Sequence, residues 1–129
     1  MSTPVSDTKA MIAGMRPKLQ DGEFAFVVWP EDAPWPKGTR ASYREEEGLS
    51  LIVPFADAPQ GALPMRCITL QVHSALDGVG LTAAVSDALA RAGIPANMVA
   101  GYHHDHVYVP AGQADQALTI LRQLQGAAK

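Results

Sequence analysis

RCITLQVHSALDGVGLTAAVSDALARAGIPANMVAGYHHDHVYVP, residues 66–110, is the stretch that decides how this chain folds. From Arg66 to Ser74 the residues alternate. Ile68, Leu70 and Val72 point to one side, and Cys67, Thr69, Gln71 and His73 to the other, which predicts a strand with one core-facing surface. Asp77 is placed to cap a helix. From Val79 to Ala92 the apolar residues Leu81, Val85, Ala88, Leu89 and Ala92 fall on one helical stripe, and Gly93 stands where a left-handed C-terminal stop is wanted. Ala96–Tyr102 and His106–Val109 read as two strands joined by a tight turn around His103–Asp105. After Pro110, the spacing of Ala114, Ala117, Leu118, Leu121 and Leu124 predicts a last helix. The order over residues 66–124 is therefore β-α-β-β-α. It predicts an α+β, ferredoxin-like fold with helices on one face of a sheet, one strand short at its end.

The first half is read outward from there. Residues 1–8 are polar and are expected to be disordered. Met11, Ile12, Met15 and Leu19 predict an amphipathic helix over Lys9–Leu19, bent or ended by Pro17. Glu23–Trp29 (EFAFVVW) predicts a strand, and the Pro/Gly-rich residues 30–39 a loop. Ala41–Glu47 (ASYREEE) predicts two helical turns stopped by Gly48, with Glu45, Glu46 and Glu47 on a solvated face. Leu49–Pro54 predicts a second strand, and residues 56–65 a boundary loop. Trp29 and Trp35 flank the first loop and are expected to cap the core. This α-β-α-β half and the β-α-β-β-α half are each incomplete. Two subdomains, 9–60 and 61–129, are expected to finish each other by exchanging segments.

Charge narrows the function. Ten Lys and Arg oppose 13 Asp and Glu, for a net charge of −3. The basic residues are scattered singly, so no stripe exists to neutralise phosphates and nucleic-acid binding is not expected. Apolar runs such as Leu49–Phe55 fall far short of the roughly 20 residues of a membrane span. Met1–Met15 lacks the apolar run of a secretory signal, and Cys67 is the single cysteine, so a cytoplasmic protein is expected. Charged residues make up 18% of the chain against a usual share of about 25%, which points to apolar surface covered by another subunit.

Three features bear chemistry. In Leu76–Leu81 (LDGVGL), Gly78 and Gly80 let the backbone turn tightly before a helix N-terminus, where N–H groups and the dipole favour an anion. The spacing is neither a dinucleotide fingerprint nor a P-loop, and the plain alternative is an ordinary strand-to-helix turn. Asn97 offers an amide able to orient a carboxylate or an amino group. Tyr102-His103-His104-Asp105-His106 carries ligand types suited to zinc, nickel or copper, with His73 on the neighbouring strand as a further ligand. In a strand, however, His103 points away from His104 and His106, so a hairpin with packed histidines is the favoured reading and no metal or cofactor is expected. Cys67 reads as a packed, inert thiol, and no G-x-S-x-G nucleophile elbow occurs.

The strand, the Leu76–Leu81 turn, the helix ending at Ala92-Gly93-Ile94 and the strand opening with Asn97 resemble the ACT family of small amino-acid-sensing modules. The V-H-S, G-L-T-A-A-V-S and A-G-Y-x-H-D-H stretches narrow this to short proteins built from two ACT-like subdomains. The resemblance implies side-by-side pairing, commonly as a homodimer. It also implies an amino acid held at the paired interface by Asp77, Gly78, Val79, Gly80 and Leu81 together with Asn97, and His104 stands nearby. It further implies a non-enzymatic regulatory module. A ligand-free protein-interaction module and a metal-binding protein using His73, His103, Asp105 and His106 are the alternatives.

Overall fold

The computed structural model describes residues 4–129. The alternation in residues 66–72 forms the central strand, with Ile68 and Leu70 fully buried beneath the helices. In chain order the elements are α1 (Thr8–Ala13), β1 (Lys18–Leu19), β2 (Phe24–Trp29), β3 (Ala41–Glu45), β4 (Gly48–Pro54), β5 (Met65–Leu70), α2 (Leu81–Arg91), β6 (Asn97–Ala100), β7 (Asp105–Pro110) and α3 (Ala114–Ala127). All strands join one seven-stranded antiparallel sheet in the order β3-β4-β2-β5-β7-β6, with β1 also on β5. β1 takes the edge of β5 away from β7, so the first half supplies the strand that the second half lacks.

The helices cover one face. Met11 and Met15, Val85 and Leu89, and Ala117 and Leu121 pack with Ile68, Leu70, Val107 and Val109 into one core. The predicted stripes of α2 and α3 are the buried ones, because a helix with a single apolar face has only the sheet to bury it against.

The opposite face is shaped by a corner in the chain. β1 pairs Leu19 with Ile68, and the next pair on β5 is Phe24 with Met65. Residues 20–23 thus face only residues 66–67, and Gly22, at φ +88°, takes up the turn as a bulge does. β2 meets β5 at Phe24 alone and then follows β4 along its whole length. A joint of one residue pair, added to the natural twist of the strands, swings the β2-β4-β3 part over the helix-free face. Phe24 and Phe26 reach Tyr108, on β7, edge-on at 6.1 and 5.4 Å between centroids. Cys67, Thr69 and Tyr108, on the side of the sheet away from the helices, are buried as a result.

Four expectations change. The predicted helix over Lys9–Leu19 ends at Ala13, and Lys18–Leu19 is strand, because Pro17 disfavours helical backbone at Arg16, which adopts φ +41°. Ala41–Glu47 is not a helix. Ala41–Glu45 pairs with β4, and Glu46–Glu47 form the hairpin turn, with Gly48 at φ +146°. The gain from pairing with β4 outweighs the helical preference of Arg-Glu-Glu-Glu. Of the tail expected to be disordered, residues 1–3 lie outside the described residues. Val5 bridges Ser74, and the Asp7 side chain caps α1 by accepting from Ala10 N at 2.9 Å. Trp29 is half-buried and donates to the Pro34 carbonyl, whereas Trp35 stays 47% exposed.

Candidate functional site

The strand-to-helix turn of residues 71–80 lies at one end of the sheet, beside the β6–β7 hairpin loop. α2 begins at Leu81, and its N-cap is Gly80, which offers no side chain to the first-turn N–H groups. Asp77, expected to cap this helix, lies three residues too early and is exposed. The helix N-terminus is left with backbone donors only, which favours an anion.

The N-terminal segment is built onto this turn. Val5 N donates to the His73 carbonyl at 2.7 Å, and Ala75 N donates to the Val5 carbonyl at 2.8 Å. The Thr8 hydroxyl donates to the Val79 carbonyl. Gly80 has φ +109°, and a Cβ there would stand 2.6 Å from Thr8 Cγ2. A Cβ on Gly78 would stand 3.1 Å from Met11 Sδ. Close packing under α1 therefore accounts for both glycines.

Two cavities open here. One of about 120 Å³ is lined by Met11, Gly78, Gly80 and Leu81 together with Ser74 and Asp105. The other, of about 270 Å³, is lined by Pro4, Leu76, Asp77, His73 and Tyr102. Ser74 Oγ donates to Asp105 Oδ2 at 3.4 Å. Leu76, Val79 and Tyr102 expose most of their surface around them.

Of the residues expected to bind, Asp77, Gly78, Gly80 and Leu81 line these cavities. Val79 is exposed, with its carbonyl taken by Thr8. Asn97 lies elsewhere, at the opposite end of β6, where its Nδ2 donates to the Tyr108 carbonyl at 3.3 Å. His104 sits in the hairpin loop, where its carbonyl accepts from Gly101 N, and it lines neither cavity. Pro4, Met11, Ser74, Tyr102 and Asp105 join the site only through folding. Pro4 and Met11 lie outside any motif, whereas Ser74, Tyr102 and Asp105 belong to the V-H-S and A-G-Y-x-H-D-H stretches, whose local pattern does not show that they meet at this turn.

The histidines form a ring cluster. His73 and His103 stand 5.2 Å apart between centroids, and Tyr102 and His103 5.0 Å. His106 turns the other way and shares a 2.9 Å hydrogen bond with Thr69 Oγ1. Burial, and then the nearby His104, hold its pKa below the ordinary imidazole value. Among the described residues no group of three or more His, Cys, Asp or Glu is placed to hold a metal ion. Of the set His73, His103, Asp105 and His106, His73 lies in the strand-to-helix turn, His103 in the hairpin loop, and Asp105 and His106 on β7. Cys67 is buried, and its pKa is raised by desolvation. No helix among the described residues is long and apolar enough to cross a membrane.

Comparison with known proteins agrees with this architecture. Residues 63–123 and residues 3–68 each match an ACT domain family. A Vibrio cholerae protein of unknown function, called a possible transport protein, is 35% identical with a TM-score of 0.72, over 88% of this chain and 92% of that one. An Agrobacterium tumefaciens protein has a TM-score of 0.64 at 20% identity, over 84% and 87%. The ligand-free regulatory subunit of aspartate kinase from Thermus thermophilus has a TM-score of 0.61 at 11% identity, over 86% and 97%, and shares the fold. No curated protein matches the chain. With family matches over both halves and one antiparallel sheet carrying helices on a single face, the chain belongs to the ACT domain family and is built from two tandem ACT units.

Proposed function

We propose that this protein is a non-enzymatic regulatory module that binds a small amino acid or a related metabolite at the turn of residues 77–81. The observation that carries this reading is the pairing of opposite electrostatic features across one small cavity. The uncapped N-terminus of α2 suits a carboxylate, and Asp105, which lines the same cavity with Ser74, suits an ammonium group. A zwitterion fits that pattern, and a cavity of about 120 Å³ suits a small one. The matches to a family of regulatory modules over both halves of the chain support regulation over catalysis. We place the two units at residues 9–60 and 61–129.

Pairing of two copies belongs to the same proposal. Leu76, Val79 and Tyr102, at 73, 77 and 68% exposure, form an apolar surface around the turn that a second copy would cover. Asn97, at the other end of β6 in a single chain, and His104, in the hairpin loop beside the cavities, would contribute in such a pair.

Thermal-shift measurement against the twenty amino acids, followed by calorimetric titration, tests this. A ligand at one hundred times its Kd adds about 2.7 kcal/mol, which raises Tm by about 10 °C for a domain of this size. Asp105→Asn is expected to weaken binding at least tenfold, which cuts that stabilisation to about half or less at the same ligand concentration. Flat responses at millimolar concentration to all twenty would refute amino-acid binding.

A further inference from the structure

The corner at Phe24 has a second result. It curls the sheet until its two edge strands, β3 and β6, face each other across the concave side. Ala41, on one edge, and Val99, on the other, both pack against the cluster of Phe24, Ile52, Met65, Cys67 and Tyr108. Between the edges lies a cavity of about 390 Å³, larger than either cavity at the turn. Consecutive residues Ala41–Tyr43 and Met98–Ala100 line it, so backbone as well as side chains forms the walls.

We propose that this cavity is a second binding site, and that it takes a small, uncharged, largely apolar molecule. The lining decides the ligand class. Phe26, Ile52 and Val99 supply the apolar side chains, Met98 borders the cavity with its backbone because its side chain packs into the helix-side core, and no charged residue takes part. The nearby charges are engaged. Arg40 lies 4.6 Å over the Phe24 ring, and Glu45 accepts from Ser50. A free amino acid would lose the hydration of both its charges here with no partner in return, so this site and the turn differ in the ligands they accept. Tyr43 and Ser50, paired across β3 and β4 on the face of Ala41 and Ile52, allow one or two hydrogen bonds on the ligand, Ser50 as an acceptor because its proton goes to Glu45. The volume lies within the range of small-molecule sites, roughly 300–1,000 Å³. A nearly closed sheet of strands is also a known way to hold one small ligand. Phe26 and Tyr43, 46 and 74% exposed, form a rim through which it enters.

The test uses N-phenyl-1-naphthylamine, an uncharged fluorophore that brightens in apolar surroundings, titrated into the full chain. Saturable binding of one probe per chain is expected. Val99→Arg places a charge in the wall and Ala41→Phe fills the space, and each is expected to weaken binding about tenfold or more, with unchanged circular dichroism and an unchanged thermal response to amino acids. Tyr43→Ala changes only an exposed rim position, is expected to weaken the probe about threefold, and keeps the test valid if Val99→Arg does not fold. Absence of saturable binding, or binding indifferent to Ala41→Phe and Tyr43→Ala, would overturn the proposal. So would a dimer that excludes the probe and that Val99→Arg converts to monomer, since this face would then be an interface between copies.

Discussion

Replacing Gly80 with alanine should destabilise the protein, and by an amount the geometry sets. At φ +109° and ψ −19° an L side chain is strained, at a cost of about 1–3 kcal/mol. The new Cβ would also lie 2.6 Å from Thr8 Cγ2. Thr8 must then swing away and lose the hydrogen bond from its hydroxyl to the Val79 carbonyl, worth about 1 kcal/mol. Together these give about 2–4 kcal/mol, a fall in Tm of about 8–16 °C for a chain of this length. Urea unfolding followed by circular dichroism measures it. The companion variant Thr8→Ala removes both clashing atoms and leaves its own Cβ 3.5 Å away, an ordinary contact. In that background Gly80→Ala retains only the backbone strain, so it should cost about 1 kcal/mol less, beyond the roughly 0.3–0.5 kcal/mol scatter of independent sites. Equal costs in the two backgrounds would show that Thr8 does not pack on the turn. A cost below about 1 kcal/mol would refute the strain.

Two further outcomes follow from the buried face of the sheet. His106 has a folded-state pKa lowered by burial, so the unfolded chain binds its proton more readily. Its contribution to stability is complete above the ordinary imidazole value near 6.5 and is lost as pH falls through that value toward the lower folded one. Unfolding compared at several pH values between 5 and 8 should therefore show a steeper decline for the parent than for His106→Gln. Cys67, buried with its pKa raised, should be inert to a chromogenic disulfide reagent in the native protein and react once per chain in denaturant. Rapid labelling of the native protein would contradict that burial.

Legibility in the sequence followed the range of the interactions. The β5-α2-β6-β7-α3 series was readable because alternation in Ile68–Val72 and the stripes Leu81–Leu89 and Ala114–Leu121 each have one apolar side and one possible burial partner. The residues of Ala41–Glu45 suit a helix locally, and only pairing with Gly48–Ile52 makes them a strand. The site was half legible. Gly78 and Gly80 mark the turn in sequence, but the reason for them, Met11 and Thr8 lying overhead, comes from residues some 70 positions away. Family resemblance puts Asn97 with the turn, and in a single chain it lies at the other end of its strand.

The sequence by itself determined the fold class, the helix-facing core and the position of the glycine turn, because periodicity and chain punctuation are local properties. Only the tertiary structure decided that β1 completes the second unit, that the N-terminal segment seals the turn, and that the sheet curls into a cavity. Each of these depends on a long-range register, and the corner rests on the single pair Phe24 with Met65, which no local pattern can encode.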